Sequence, residues 1–501
     1  MTAVFLAVIF SFLAFPNVFL HFGYWPLAWA GLIFFFAALE DQKPAARVMA
    51  GFIFGLLFYG LILFWFVSYS FIGYFLFVAG LSLQPAFFAL LYGLKPSGRG
   101  REVLFVAAAW VATEFLRSLF LAGFSWDLAV SQGFQPLAIQ IAALTGSGGL
   151  SFVLAAVNFC LYRYFKGRKR DIYYPAIALA FVFLVFGYGW WVMRFEARGQ
   201  AGFGAIRVLA VQPDVDLKDK QDEEALDKIV ERLTTLTEKG LQGSPVDLVA
   251  WPETAVPLDF RKEPDLLIRL KDLAEKINGN FLFGAALREG DKDFNSAVLM
   301  DARGRIKHVY HKRRLVPFSE YCPRGRLWWD LRKRAIVRTY DFSPGDKPGV
   351  MPLEIAAGNT GDSFQKYFLG VLICSEDTIG ALFREYQARE VGIVVVLLND
   401  GWFRHPQALI MHAQNAVLHA VENRRPVLRV ANTGWTVAID AFGRVMAGGR
   451  VPFNRAEVAR FAVRPGKAKT AAYFIGDSFC LLCLGFVIIT LFPQRKKFHD
   501  A

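Results

Sequence analysis

Eight long apolar segments constrain this chain more than any other feature of its sequence. A helix needs about 20 mainly apolar residues to cross the roughly 30 Å hydrocarbon core of a bilayer. Segments of this kind lie at 3–20, 24–40, 48–68, 71–94, 102–121, 148–165, 172–193 and 472–492. Since 55% of the residues are hydrophobic and only 20% are charged, the chain is too apolar for an ordinary soluble protein. The pattern predicts a polytopic α-helical membrane domain with seven spans over 1–200, a polar domain over 201–467, and a last span with a basic tail over 468–501.

The Lys and Arg residues predict the orientation of these spans. They cluster after the second, fourth, sixth and eighth spans, at Lys43, Arg47, Lys95, Arg99, Arg101, Arg163, Lys166, Arg168, Lys169, Arg170, Arg495, Lys496 and Lys497. The connections 21–23, 69–70 and 122–147 contain neither Lys nor Arg. Because basic loops stay in the cytoplasm, we expect a multi-pass protein of the bacterial plasma (inner) membrane. Its polar domain is expected on the periplasmic or outer face and its C-terminus in the cytoplasm. The net charge of +13 therefore indicates a bilayer as partner, and not nucleic acid.

The polar region between the last two spans has the alternating strand and helix patterns that are typical of an α/β domain. Apolar runs of strand length lie at 206–211, 246–251, 281–286, 297–300, 368–373 and 393–398, and helical stretches lie near 221–239, 263–277, 378–390 and 406–424. Gly and Pro separate these elements. The alternation predicts helices packed on sheets. By itself it does not distinguish a doubly wound sheet from a sandwich of two sheets.

Three chemically active residues each follow an apolar run of this domain. Cys374 ends the run 368–373, Glu253 follows 246–251, and Lys312 lies shortly after the hairpin at 296–310. A thiol needs a base or a cation to react at neutral pH. A partly desolvated carboxylate suits the role of base, and an ammonium group stabilises an oxyanion. For each residue taken alone the structural alternative is a buried cysteine, a turn glutamate or a solvated lysine; together they favour a catalytic site.

Two further carboxylates are candidates for support, and no cofactor motif is visible. Glu320 could orient Lys312, and Glu376 could hold the turn after Cys374; structural roles are equally open to both. The sequence contains no G-x-G-x-x-G, Walker-type loop or G-x-S-x-G, and its histidines lack metal-ligand spacing. We therefore expect no cofactor and no bound metal. The segment 326–337, with Trp328 and Trp329, is typical of an interfacial segment or of a core helix with a charged back.

These motifs resemble the nitrilase superfamily, and within it the apolipoprotein N-acyltransferase branch. The resemblance is carried by WPE at 251–253, YHKRRLVPFSEY at 310–321, ICSE at 373–376, LLNDGWF at 397–403, ENRRPVLRVANTG at 422–434 and EFLRSLFLAGFSWDLAVSQ at 114–132. It implies a nitrilase-like αββα sandwich with Glu253 as general base, Lys312 as oxyanion support and Cys374 as nucleophile. It also implies supporting roles for Glu320 and Glu376. Ser375, Ser125 and Cys322 depart from the usual pattern of the family.

The resemblance also implies the reaction. Cys374 would take an acyl chain from a phospholipid as a thioester and pass it to the N-terminal α-amine of a diacylglyceryl-cysteine in an apolipoprotein. The residues alone imply only acyl transfer at a membrane surface. Two alternatives stay open: a membrane-tethered amidase of the same superfamily, in which water replaces the amine, and a non-catalytic membrane scaffold.

Overall fold

The computed structural model describes residues 1–68, 70–120, 126–167, 171–197, 204–221, 225–317, 319–321, 341–356, 364–402, 405–446 and 450–492. The segment 326–337 and the residues Ser125 and Cys322 lie outside this description. The chain divides into two compact units. The first contains Met1–Gly199, His405–Asn423 and Lys469–Ala501, and the second contains Gln200–Arg404 and Arg424–Ala468.

The first unit consists of helices. Its helices are α1 (Thr2–Ala14), α2 (Leu32–Leu39), α3 (Pro44–Ile62), α4 (Phe71–Tyr92), α5 (Arg99–Phe120), α6 (Ala142–Thr145), α7 (Ser147–Lys166), α8 (Tyr173–Trp191), α12 (Pro406–Asn423), α13 (Ala471–Ile475) and α14 (Ser478–Leu491). Among the described residues, 5 helices are long and apolar enough to cross a membrane: Pro44–Ile62, Phe71–Tyr92, Arg99–Phe120, Ser147–Lys166 and Tyr173–Glu196. The apolar helices Thr2–Ala14, Trp25–Leu39 and Ser478–Leu491 are shorter. The chain is a membrane protein with this helical unit.

Two of the shorter apolar helices are bounded by a helix breaker. Helix α1 stops at Ala14, and the next residue, Phe15, is extended because it precedes Pro16 and a residue before proline is driven out of the helical region. In the last apolar segment, Gly476 has φ +52° and separates α13 from α14. The sequence-predicted spans 3–20 and 472–492 are therefore longer than the helices found there.

The second unit is a sandwich of two sheets. Its strands are β1 (Ile206–Gln212), β2 (Leu248–Ala250), β3 (Asn280–Glu289), β4 (Lys292–Met300), β5 (Ile306–His311), β6 (Val350–Ala356), β7 (Phe364–Ile373), β8 (Ile393–Leu398), β9 (Val427–Ala431), β10 (Val437–Ile439) and β11 (Glu457–Val463). One sheet has the order β11-β1-β2-β3-β4-β5 and the other the order β10-β9-β8-β7-β6. Both sheets mix parallel and antiparallel pairs.

Side chains alternate between the two faces of each strand, so the strands contribute to two separate layers of hydrophobic core. Val208 and Ala210 of β1 pack in the cluster that also contains Val371 and Ile373 of β7, so this cluster fills the space between the sheets. Their neighbours Leu209 and Val211 point the other way, into a second cluster, as the two-residue period of a strand requires.

Helices cover the outer faces of the sandwich. The helices α9 (Leu226–Leu241) and α10 (Pro264–Ile277) contribute their apolar residues to the second cluster. On the other sheet, the ring of Tyr386 from α11 (Gly380–Ala388) lies directly over Gly370 of β7, where a Cβ atom would be 2.5 Å from it. The observed layering confirms the αββα sandwich and excludes a single doubly wound sheet.

Candidate active site

Cys374 lies at the point where β7 ends in a short 3-10 helix, Cys374–Thr378. Strand β7 is an inner strand, paired in parallel with β8. The backbone of Cys374 has φ +53°, a left-handed conformation that side chains other than glycine adopt rarely and mainly at functional sites. The thiol is 9% exposed. A sharp turn at the end of a buried strand thus presents a single thiol at the edge of the sandwich.

The thiol of Cys374 is protonated at rest. Burial raises its pKa well above the usual value, the negative charge of Glu253 raises it further, and the positive charge of Lys312 opposes both. A thiol in this state needs a base to remove its proton before it attacks.

Glu253 has the properties of such a base. It follows β2 in the segment Trp251-Pro252-Glu253 and is 6% exposed. Its Oε1 accepts a 2.7 Å hydrogen bond from Nδ2 of Asn295, whereas its Oε2 is buried with no hydrogen-bond partner among the described residues. Burial raises the pKa of Glu253, against the lowering effect of Lys312. The carboxyl group therefore has a higher proton affinity than a solvated one, and one oxygen with a free lone pair.

Lys312 supplies a fixed positive charge. It follows β5 directly and is 1% exposed. Its Nζ lies 2.9 Å from Oε1 of Glu320 and 3.8 Å from Oε1 of Glu253. Burial would lower the pKa of Lys312, but the negative charges of Glu320, Cys374 and Glu253 raise it above the usual value. The group is therefore an ammonium ion at neutral pH, held by Glu320, as the sequence analysis expects of that carboxylate.

Asn295 joins the base to the group that holds the ammonium ion. This residue of β4 donates from Nδ2 to Oε1 of Glu253 at 2.7 Å and to Oε1 of Glu320 at 3.0 Å. The sequence analysis missed it. The available signal was an amide in a strand that otherwise continues with apolar residues, because a buried amide must find hydrogen-bond partners.

Glu376 connects the cysteine turn to the lysine segment. Its carboxylate accepts hydrogen bonds from the hydroxyl of Tyr310 at 2.8 and 2.9 Å and from the backbone amides of Ile373 and Arg313 at 2.9 and 2.8 Å. Tyr310 and Arg313 flank Lys312, and Ile373 precedes Cys374. Glu376 therefore fixes the distance between the two segments, and it is fully buried.

A second ionic cluster lies behind the nucleophile. Asp400 follows β8, and its charge raises the pKa of Cys374. The guanidinium group of Arg429 on β9 contacts both Asp400 and Asp377. Asp400 therefore follows the strand that is paired with β7, the strand before Cys374. Within the described residues, no group of three or more His, Cys, Asp or Glu side chains is arranged to hold a metal ion.

The site is shared between the two sheets. Asn295 lies in β4 of the six-stranded sheet, Glu253 and Lys312 follow β2 and β5 of the same sheet, and Cys374 follows β7 of the five-stranded sheet. A two-sheet sandwich that joins a thiol, a carboxylate and an ammonium ion in this way defines a carbon–nitrogen hydrolase. The family model described as "Carbon-nitrogen hydrolase" matches residues 207–470.

The comparisons also identify the membrane part. The model described as "Apolipoprotein N-acyltransferase N-terminal domain" matches residues 7–160. A protein of Geobacter metallireducens named "Apolipoprotein N-acyltransferase" is 31% identical to the chain, over 97% of the chain and 94% of that protein. "Apolipoprotein N-acyltransferase 1" of Treponema denticola is 27% identical over 98% and 96%. An amidase structure from Nesterenkonia sp. covers 53% of the chain and 92% of its own length at 18% identity, with a TM-score of 0.36. The chain belongs to the apolipoprotein N-acyltransferase family, and it is an enzyme, an acyltransferase.

Proposed function

We propose that the chain moves an acyl chain from a phospholipid, through a thioester on Cys374, to the N-terminal α-amine of a diacylated apolipoprotein. In the first half, Oε2 of Glu253 takes the proton of the Cys374 thiol while the sulfur attacks the carbonyl carbon of the phospholipid ester. The ammonium group of Lys312 stabilises the oxyanion that forms. The ester C–O bond then breaks, and Glu253 returns the proton to the departing lysophospholipid oxygen.

The second half repeats this chemistry with an amine. The α-amine of a diacylglyceryl-cysteine attacks the thioester carbonyl, and Glu253 accepts a proton from the nitrogen. The C–S bond breaks, an amide forms, and the thiol of Cys374 regains its proton from Glu253. No other reactant is needed, because the ester already carries the acyl group in activated form.

One observation carries this proposal: Oε2 of Glu253 is a buried carboxylate oxygen with no hydrogen-bond partner among the described residues. Leaving a charged acceptor unsatisfied in a buried site costs free energy. The neighbouring oxygen, Oε1, accepts a hydrogen bond from Asn295 and lies 3.8 Å from Nζ of Lys312. We infer that the free oxygen faces the proton that the reaction moves, first on sulfur and then on nitrogen.

The division of the chain supports the same function. We propose a membrane domain over 1–200 with seven spans, a catalytic domain over 201–467 and a last span over 468–501, with the catalytic domain on the periplasmic face of the inner membrane. Both substrates are anchored in lipid, so an enzyme fixed in the same membrane avoids most of the cost of bringing them together. A cysteine introduced at exposed Asp272 tests the orientation: a membrane-impermeant maleimide should label it in intact spheroplasts. Labelling only after lysis would reverse the assignment.

Mass spectrometry of the purified protein tests the chemistry. After incubation with a phospholipid of defined acyl chains, the peptide that contains Cys374 should gain the mass of one acyl group. Addition of a diacylated lipopeptide should remove this group and add it to the lipopeptide as an amide. Cys374→Ala should form no adduct, and Cys160→Ala, which removes a buried cysteine of helix α7, should behave as wild type.

Two further measurements would favour the alternatives. Release of ammonia from small soluble amides, with no acyl adduct from phospholipid, would identify a membrane-tethered amidase. Normal lipoprotein maturation in cells that carry Cys374→Ala, Glu253→Ala and Lys312→Ala would identify a scaffold.

A further inference from the structure

Lys220 is a buried lysine that the steps above do not use. It lies in a short 3-10 turn, Asp219–Gln221, and is 6% exposed, whereas Lys218 two residues earlier is exposed. Its Nζ donates a 2.9 Å hydrogen bond to the backbone oxygen of Glu253 and lies 3.5 Å from the hydroxyl oxygen of Thr254. Removing an ammonium group from water is costly unless it gains a partner of opposite charge. Among the described residues, the charge that acts on Lys220 is that of Glu253.

The turn that Lys220 contacts is held in a strained conformation. Thr254 has φ +45°, which is rare for a β-branched residue and is kept only where the surroundings enforce it. On one side the turn lies against Gly284 of β3, which exchanges backbone hydrogen bonds of 3.2 and 3.0 Å with Pro252 and Val256. A Cβ atom at Gly284 would be 2.5 Å from the oxygen of Pro252. Lys220 contacts the same turn through the carbonyl of Glu253, so the turn is fixed both by the sheet and by one side chain.

We propose that Lys220 is a positioning residue for Glu253: its amino group fixes the turn that carries the base, and its charge favours the ionised carboxylate. Three charged groups and burial act on the protonation of Glu253. Lys312 and Lys220 favour the carboxylate form of Glu253, and burial and Glu320 disfavour it. The negative charge of Glu253 also acts on Cys374 and raises the pKa of its thiol.

Lys220 is suited to this role because its amino group changes its charge near neutral pH. Burial lowers the pKa of Lys220 to about 7, with Glu253 opposing the shift. The amine is therefore protonated below neutral pH, where the charge helps Glu253 to remain ionised and able to accept a proton. Above that range it is neutral, and its hydrogen bond to the turn is what remains.

This inference rests on the proposed role of Glu253 as base, and its test needs neither phospholipid nor lipopeptide. The probe is iodoacetamide, and the measurement is the rate of alkylation of Cys374 in the full chain in detergent, followed by peptide mass spectrometry from about pH 5 to about pH 9. Lys220→Gln keeps a donor for the turn and removes the charge. Lys220→Met removes both, and Lys218→Met is the matched exposed control.

We expect Lys220→Gln to move the midpoint of the pH–rate profile upward by about one unit. The rate below the midpoint should fall by about tenfold, since one pKa unit corresponds to that factor. The difference from wild type should vanish above about pH 8, where Lys220 is already neutral given its pKa of about 7. Lys220→Met should show the same shift and, in addition, a lower maximal rate.

An unchanged midpoint in Lys220→Gln would overturn the inference. An equal loss of rate at every pH would do so as well, because it would show a structural role alone. If Lys220→Met does not fold, Lys220→Gln decides. A wild-type protein that forms no acyl adduct with phospholipid would refute the proposed function and leave the alkylation result standing, so the two failures are distinguishable.

Discussion

The two units of the chain each bury a cluster of charged side chains, and the clusters differ in one respect. In the membrane unit, Arg117 donates to Oδ1 of Asp127 at 2.8 Å and to the hydroxyl of Tyr59 at 2.6 Å. Ser147 donates to the second oxygen of Asp127 at 3.4 Å. Both oxygens of this carboxylate are therefore engaged. In the catalytic unit, one oxygen of Glu253 is engaged and the other has no partner among the described residues.

We propose that this difference separates a structural cluster from a reactive one. A carboxylate that uses all its lone pairs on fixed donors locks the segments that carry it. In the membrane unit this cluster ties α5 to the stretch that begins at Leu128, whose amide donates to Glu114 at 2.7 Å. A carboxylate with a free oxygen can still accept a proton. Burial and charge are thus shared by both clusters, and we propose that the unused acceptor of Glu253 distinguishes the reactive one.

Replacing the proposed base, Glu253, should lower the rate of acyl-enzyme formation more than any other change. Glu253→Gln keeps the shape of the side chain and removes the group that accepts a proton, so acyl-enzyme formation should slow by about 10²- to 10⁴-fold. The measurement is the rate of mass gain on the Cys374 peptide. The melting temperature should stay near that of wild type; a large fall in both would show that Glu253 is structural, like Asp127.

Breaking the membrane cluster should instead cost stability. Arg117→Met removes the buried cation that pairs with Asp127, whose side chain is 14% exposed, and breaking a buried pair costs up to about 3–5 kcal/mol. Thermal unfolding in detergent measures the effect. The control on the same helix is Arg99→Met, since Arg99 is 63% exposed where it pairs with Asp171 and exposed pairs contribute little. If both variants unfold at the same temperature as wild type, the membrane cluster has no structural role.

Asn295→Ala should give an intermediate loss of activity. The change removes the donor that joins Glu253 to Glu320, and displacement of a catalytic group by about 1 Å costs on the order of 10²-fold. Single-turnover acylation measures the loss. Ser296→Ala is the matched control on β4, because its hydroxyl contacts His311 and not the base. Equal losses in the two variants would mean that the strand, and not the amide, is what matters.

The pH dependence of acylation in the wild-type protein is the smallest of the expected effects. Burial raises the pKa of Glu253 above its usual value of 4.5, so the fraction of ionised base falls as pH drops through the raised pKa. Acylation should therefore reach half its maximal rate at a pH above 4.5, and it should fall about tenfold per unit below that midpoint. Glu253→Gln should show no such step. A wild-type midpoint at or below 4.5 would contradict a buried base.

The sequence predicted Glu253, Lys312 and Cys374 as candidate site residues because each follows a strand or lies in a recognisable motif, and the structure places Nζ of Lys312 3.8 Å from Oε1 of Glu253. Lys220 was not found, since it lies in a polar stretch beside Lys218 and differs from it only in the folded protein. Asn295 was missed for a similar reason: its two partners are 42 and 25 residues away. Local pattern does not encode such pairings.

Helix α12 shows a second limit of the sequence. Its segment was predicted as a helix of the polar domain, within 201–467, and the structure groups His405–Asn423 with the membrane unit. Nearly all of its residues are buried, polar and apolar alike. A helix that is buried on every side has no periodic apolar face, so its pattern does not reveal which unit it joins.

The distribution of the site over two sheets has a consequence for variation far from the chemistry. One sheet contributes the proposed base and the ammonium ion, and the other contributes the sulfur, so the proposed centre needs both sheets. Substitutions in the layer between them, such as at Val371 or Val208, change the spacing of the two halves without altering any reacting group. An allele of this kind would lower the catalytic rate as well as the stability, because a buried core position also contributes packing free energy.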